Sequence, residues 1–208
     1  NQLLRERKAK DRVKMGKIYV LLGKSASGKD TIAKKVMKKM EGKLHPIVPY
    51  TTRPIRDGEE NGKQYYFVTD EEKEKLIEQG VVVEMRTYQT VNGPWSYFTV
   101  DDGNIDLEHN DYLIIGTLES LVKIQTYFTE ERVVPIYINV DDGDRLMRAI
   151  QREKEEEHPN YKELCRRFLA DENDYSEENR KSCNIHNTVE NADLDQSVEK
   201  VIAIISKR

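Results

Sequence analysis

The stretch Gly23-Lys24-Ser25-Ala26-Ser27-Gly28-Lys29-Asp30-Thr31 follows directly on the apolar run Ile18-Tyr19-Val20-Leu21-Leu22. Its spacing, G-x-x-x-x-G-K, is that of a P-loop: glycines let the backbone curl around an anion, N–H groups turn inward, and the lysine reaches the outer phosphates. Downstream, Ile32, Val36, Met37 and Met40 recur at helical spacing, so the phosphates would also sit at a helix N-terminus. Strand, loop and helix therefore succeed one another in the order the motif requires. Gly23 to Thr31 are the expected ATP-binding residues, with Lys29 the catalytic cation.

The position after the lysine usually supplies a Ser or Thr to Mg²⁺; here it is Asp30. Three readings are open. Asp30 coordinates the metal directly or through water, Thr31 serves instead, or Asp30 is a favourable first-turn acid on the helix dipole.

Outward from the loop, 208 residues suit one domain with insertions, and a composition 35% charged and 37% hydrophobic suits a soluble globular chain. No apolar run is long enough to span a bilayer and no secretory signal is evident, so a cytoplasmic protein without a membrane partner is expected. Cys165 and Cys183 are too sparse for a disulfide scaffold. The net charge of −4 argues against a nucleic-acid partner. Residues 1–15 form a basic extension with Glu6 and Asp11 as its acids, and an arm for nucleic acid or membrane is the functional alternative to a mere appendage.

After the first helix, Ile47-Val48 reads as a short strand leading into Pro49-Tyr50-Thr51-Thr52-Arg53-Pro54-Ile55-Arg56-Asp57-Gly58-Glu59. Two arginines three apart, stiffened by prolines and closed by an Asp-Gly turn, offer two guanidinium forks suited to a phosphate monoester. Gln64 to Val68 reads as a strand, Thr69 and Glu72 as a capping box, and Val81 to Met85 as a strand carrying Glu84. Tyr88, Trp95, Tyr97 and Thr99 flank an Asn92-Gly93-Pro94 hairpin turn.

These residues together strongly resemble guanylate kinases, and the likeness runs from about Gly16 to the C-terminus. The resemblance implies an α/β three-layer P-loop kinase fold with a mainly parallel core sheet (16–48, 102–140 and 182–208). It also implies an inserted β-rich subdomain for the nucleoside monophosphate (49–101) and a helical lid (about 141–181). The implied reaction moves the γ-phosphoryl of ATP, with Mg²⁺, to GMP, giving GDP and ADP, in a monomer or homodimer. Arg53, Arg56, Tyr65 and Tyr97 would hold the GMP phosphate, Glu84 the guanine edge, and Thr99 would lie near the acceptor. Arg148, Arg152 and Arg167 would close over the ATP phosphates, and Asn187 would lie near the adenine.

The lid arginines have a second reading. Arg145, Arg148 and Arg152 share a helix face, and the nearby Glu153, Glu155, Glu156 and Glu157 would make it a salt-bridged surface. Two departures from the family also stand out. Ile115-Gly116-Thr117 replace a D-x-D motif at the end of the strand Asp111 to Gly116, and Pro49 replaces a guanine-contacting hydroxyl. Asp30, or less directly Glu119, would then restore a carboxylate near the metal. Two rivals follow: a kinase of the same build for another phosphate-bearing acceptor, and a non-catalytic protein-binding module. Val133 to Asn139 reads as a doubly buried parallel strand, Tyr161 to Asn179 as helix, Ser182 to Asn187 as the last strand, and Asp193 to Ser206 as a closing helix. The four histidines are read as ordinary surface or packing residues.

Overall fold

The computed structural model describes residues 15–90 and 93–207. Residues 1–14 of the basic extension and Asn92 of the hairpin turn lie outside them.

In chain order the elements are β1 (Ile18–Leu22), α1 (Lys29–Lys39), β2 (Leu44–Pro46), β3 (Tyr50–Thr51), β4 (Tyr66–Phe67) and α2 (Asp70–Glu78). Then come β5 (Val82–Thr90), β6 (Gly93–Val100), β7 (Asp111–Ile115), α3 (Leu118–Phe128) and β8 (Val133–Asn139). The chain closes with α4 (Asp142–Lys154), α5 (Tyr161–Asp174), α6 (Glu177–Ser182), β9 (Asn187–Glu190) and α7 (Leu194–Ser206). Core strands run β2-β7-β1-β8-β9, every pairing parallel.

β1 lies at the centre, hydrogen-bonded on both sides, and all five of its residues are buried, which is why it reads as an unbroken apolar run. Its alternation divides the core. Ile18, Val20 and Leu22 pack with Leu118, Leu121 and Ile124 of α3, while Tyr19 and Leu21 pack with Ile32 and Val36 of α1 and Val198 and Val201 of α7. Helices on both faces of a parallel sheet make the three-layer α/β fold. A second sheet, β4-β3-β6-β5, comes entirely from residues 50–100 and is mostly antiparallel. Between β4 and β5 runs α2, opened by the Thr69–Glu72 capping box.

Three elements differ from the sequence reading. The strand expected at Ile47-Val48 falls earlier, at Leu44–Pro46, because Leu44 to Pro46 pair with β7 whereas Ile47 only donates its N–H to Leu113 O. The long helix expected over Tyr161 to Asn179 stops at Asp174; Tyr175 turns inward, and the Ser176 side chain, accepting from Asn179 N, starts α6. The last strand is not Ser182 to Asn187 but Asn187–Glu190, since Ser182 ends α6 and Asn184 takes a left-handed turn at φ 51°. Only Val189 of β9 is buried deeply, so this edge strand has almost no hydrophobic signature.

Candidate active site

The loop Gly23–Thr31 leaves the C-terminal end of the central strand and enters α1. Gly28, at φ +84°, is the N-cap, and a Cβ there would come within 2.5 Å of Asn191 Nδ2. A Cβ on Gly23 would meet Ile138 O and Ser27 Oγ, each at 2.7 Å. Both glycines are therefore needed for space. Ala26 has the same left-handed backbone, φ 61°, but carries a Cβ; such strain in a non-glycine residue costs about 1 kcal/mol. Ala26→Gly is accordingly expected to stabilise the fold by about 0.5–1 kcal/mol in urea titrations, and a lower unfolding midpoint would contradict that account.

The sequence did not single out Asn191, which clamps the loop. Its Nδ2 donates to Ser27 O at 2.8 Å, its N–H to Asn139 O at 2.8 Å, and its carbonyl accepts from Arg148 Nη2 at 3.0 Å. Asn187, expected near the adenine, is elsewhere: it opens β9, donates to Pro135 O at 3.2 Å, and lines a separate cavity with Lys17 and Lys207. This correction follows from the shifted strand.

Helices α4 and α5 are docked on the loop through charge. Lys24 Nζ pairs with Glu172 at 2.7 Å and Asp142 at 3.3 Å, and Ser25 N donates to Asp171 Oδ2 at 2.7 Å. Arg145, 1% exposed, sits between them, paired with Asp142, Asp171 and Glu172 at 3.0, 3.4 and 2.5 Å, its guanidinium 4.0 Å from the Phe168 ring centre. Lys24, read as an ATP ligand, thus joins loop to lid. Tyr175 packs under the loop, where burial pushes its phenol well above the usual range even though Gly23 N–H bonds to it.

Lys29, Arg166 and Arg167 line one cleft of about 660 Å³ with Thr117, Glu119 and Tyr88. Lys29 Nζ lies 3.6 Å from Asp30 Oδ2, and Asp30 is largely exposed in the first turn of α1. The Nε of Arg167 is buried without a hydrogen-bond partner. Arg166, which the sequence reading passed over, lies beside it, clasped by Glu163 through two bonds of 2.7 Å. Arg148 flanks the loop at Gly28, 3.9 Å from the Cβ position, and Arg152 is exposed one turn further along α4.

On the acceptor side, Glu84, Arg86 and Tyr88 alternate along one face of β5, with Glu84 opposite Thr99 and Arg86 opposite Tyr97 on β6. Glu84 is 3% exposed; its Oε1 accepts from Thr99 Oγ1 at 2.9 Å and its Oε2 from Arg86 Nε at 3.1 Å. Arg53 is nearly buried, gripped by both oxygens of Glu59 at 2.8 and 3.0 Å and lying over Tyr65 and Phe67. That grip raises Arg53 above its ordinary value and holds Glu59 below its own. Tyr65 and Tyr97 meet edge to face at 5.7 Å, and burial, then Tyr97, raises the Tyr65 phenol. Arg56 is exposed on the same loop, where its N–H bonds to Glu59. A cavity of about 420 Å³ lined by Asp30, Pro49, Tyr65 and Ile115 lies where this sheet faces α1.

The P-loop residues Gly23, Ser25 and Lys29, Tyr88 of the second sheet, and Arg166 and Arg167 of α5 thus line one cleft. A family model for guanylate kinase matches residues 15–208. The chain belongs to the guanylate kinase family. It is therefore a nucleotide-binding kinase. It is 32% identical over 193 residues to the guanylate kinase of Caldanaerobacter subterraneus subsp. tengcongensis, covering 92% of this chain and 87% of that one. The human guanylate kinase is 45% identical over a shorter stretch of 65 residues, 31% of this chain and 33% of the human one. The crystal structure of guanylate kinase from Anaplasma phagocytophilum superposes on the kinase with a TM-score of 0.63 at 22% identity, covering 92% of this chain and 85% of that chain. At that identity the superposition speaks for the fold alone. Among the described residues no helix is long and apolar enough to cross a membrane.

Proposed function

We propose that this kinase transfers the γ-phosphoryl group of ATP to GMP, giving GDP and ADP. The observation that carries the reading is Glu84, a buried carboxylate on the second sheet beside Arg86, whose guanidinium reaches Thr117 in the cleft that Lys29 lines. A carboxylate accepts hydrogen bonds only, so it suits the N1–H and amino donors of guanine and rejects adenine, whose corresponding nitrogen is itself an acceptor.

Phosphoryl transfer needs alignment and charge neutralisation more than covalent help. Lys29 would neutralise the transferring phosphoryl from the loop side, with Arg148 and Arg167 on the lid side. Arg53 would hold the acceptor phosphate: Glu59 and Pro54 O occupy three of its N–H groups and the Tyr97 hydroxyl meets the same guanidinium, which orients the fork beside the tyrosine pair. Arg56, Tyr65 and Tyr97 would complete that cradle. Thr99 fixes the Glu84 carboxylate.

The residues present fit Mg²⁺. This ion keeps most of its waters and needs one or two carboxylates besides substrate phosphates; Asp30 offers one beside Lys29, with the Thr31 hydroxyl next to it. Asp30 shares its cavity with Ile115, where the family's acid is missing, and would make good that loss. Bound there, the ion would supply positive charge against the phosphate oxygens.

A coupled ADP-release assay with ATP·Mg²⁺ against GMP, dGMP, AMP, CMP, UMP and dTMP tests the reading. The expected outcome is kcat/KM for GMP about 10³-fold or more above that for AMP, the discrimination typical of a site that would otherwise leave a buried polar group unpaired. Preference for a pyrimidine nucleotide, or turnover of none of the six, would overturn it.

A further inference from the structure

We infer that Arg86 is a specificity-determining residue of the acceptor site, donating to the 6-oxo group of the purine that Glu84 holds; the inference rests on the reading of that site as a GMP site. The guanine edge carries two kinds of group: N–H donors at positions 1 and 2, and an acceptor oxygen at position 6. Glu84 can satisfy the donors, because each of its oxygens spends one lone pair, on Thr99 or on Arg86, and keeps another. It has nothing to give the oxygen. Neither does its partner Thr99, whose proton is committed to Glu84, and Pro49, at the position where the family carries a guanine-contacting hydroxyl, has neither hydroxyl nor N–H.

Arg86 is the donor at hand. Its strand register puts it two residues from Glu84 on the same face of β5, and its side chain is 15% exposed, largely withdrawn from water yet reachable. Nε is fixed on Glu84 Oε2 at 3.1 Å and Nη1 on Thr117 Oγ1 at 3.3 Å, the latter at the rim of the cleft. Of five guanidinium N–H groups, three remain without an acceptor among the described residues, in a geometry held by two anchors. Lys123 Nζ, bonded to Met85 O at 3.1 Å, ties this edge strand to α3 next to Arg86. Glu84 and Arg86 together then present acceptor beside donor, complementary to a 6-oxopurine that carries N1–H. A 6-aminopurine is rejected twice, since its amino group meets the guanidinium and its bare N1 meets the carboxylate.

The test compares the wild-type chain with Arg86→Met and Arg86→Lys on GMP, IMP and 6-thio-GMP. The last keeps the N–H donors but replaces O6 by a weakly accepting sulfur. Arg86→Met is expected to lower kcat/KM for GMP and IMP alike, roughly 10- to 100-fold, as for loss of a charge-assisted hydrogen bond. The preference of the wild type for GMP over 6-thio-GMP should collapse towards one, and Arg86→Lys should restore part of it. An undiminished GMP to 6-thio-GMP ratio in Arg86→Met, at an unchanged unfolding temperature, would overturn the inference and leave Arg86 as a support for Glu84 alone. Equilibrium titration of the same nucleotides separates the two claims. A wild type that binds GMP with the expected ratio but does not phosphorylate it would sink the proposed reaction and keep Arg86; no binding of GMP would overturn both.

Discussion

Lys29→Met is expected to lower kcat for phosphoryl transfer by about 10³-fold while the unfolding midpoint stays within about 0.5 kcal/mol of wild type. Lys29 follows Gly28 at the start of α1, its side chain is 18% exposed, and its amino group meets a single carboxylate, Asp30, at 3.6 Å. An ion pair so loosely made adds little to stability, so the folded chain has little to lose. The transferring phosphoryl has much to lose, because charge spreads over its oxygens as the bond to ADP breaks and a fixed cation opposes that charge without reorganising. Methionine keeps an unbranched side chain of similar bulk and removes the ammonium with its N–H donors. Single-turnover rates with saturating ATP and acceptor measure the effect; a kcat within tenfold of wild type would remove Lys29 from the catalytic machinery.

Arg145→Met should cost about 3 kcal/mol of folding stability, the largest loss expected from any lid substitution. The guanidinium is 1% exposed and is shared among Asp142, Asp171 and Glu172, so its removal leaves three carboxylates converging on a loop whose remaining cation there is Lys24. The pH dependence has a definite sign. Burial would raise Asp142, yet hydrogen bonds and charge from Arg145 and Lys24 hold it below its ordinary value. A depressed folded value contributes stability above the unfolded carboxylate pKa, and that contribution disappears as pH falls through the folded one. The gap between wild type and Arg145→Met should therefore be widest near pH 7 and narrow below about pH 4. Urea titrations at both pH values check this, and a gap that does not change with pH would mean that Arg145 acts through packing on Phe168 instead.

The two arginines Arg145 and Arg148 show how far a sequence reaches. Periodicity places both on one helix face, and they are chemically identical, yet one is buried as a structural hub and the other is exposed beside the phosphate loop. Nothing in a 3.6-residue repeat says how deeply a face is covered. The same holds in the acceptor loop, where two arginines three apart suggest twin phosphate forks. The structure grips Arg53 with Glu59 and leaves Arg56 at the surface.

The sequence by itself determined the architecture of the nucleotide end. An unbroken apolar run, a G-x-x-x-x-G-K loop and an amphipathic helix are local patterns, and each is dictated by the backbone it must adopt: a doubly paired strand, a turn whose glycines have no room for a Cβ, and a helix with one buried side. Capping at Thr69 and the alternation around Glu84 are local in the same sense. Tertiary structure alone decided which charges are spent on the fold and which are left for a ligand. Lys24 and Glu172 lie 148 residues apart, Arg86 and Thr117 31 apart, Asn191 and Ser27 164 apart. Such pairs form because the fold brings distant segments of the chain together around the carboxyl ends of the core strands. An ionisable side chain there takes the partner that the packing brings within about 3 Å, whatever its neighbours in sequence.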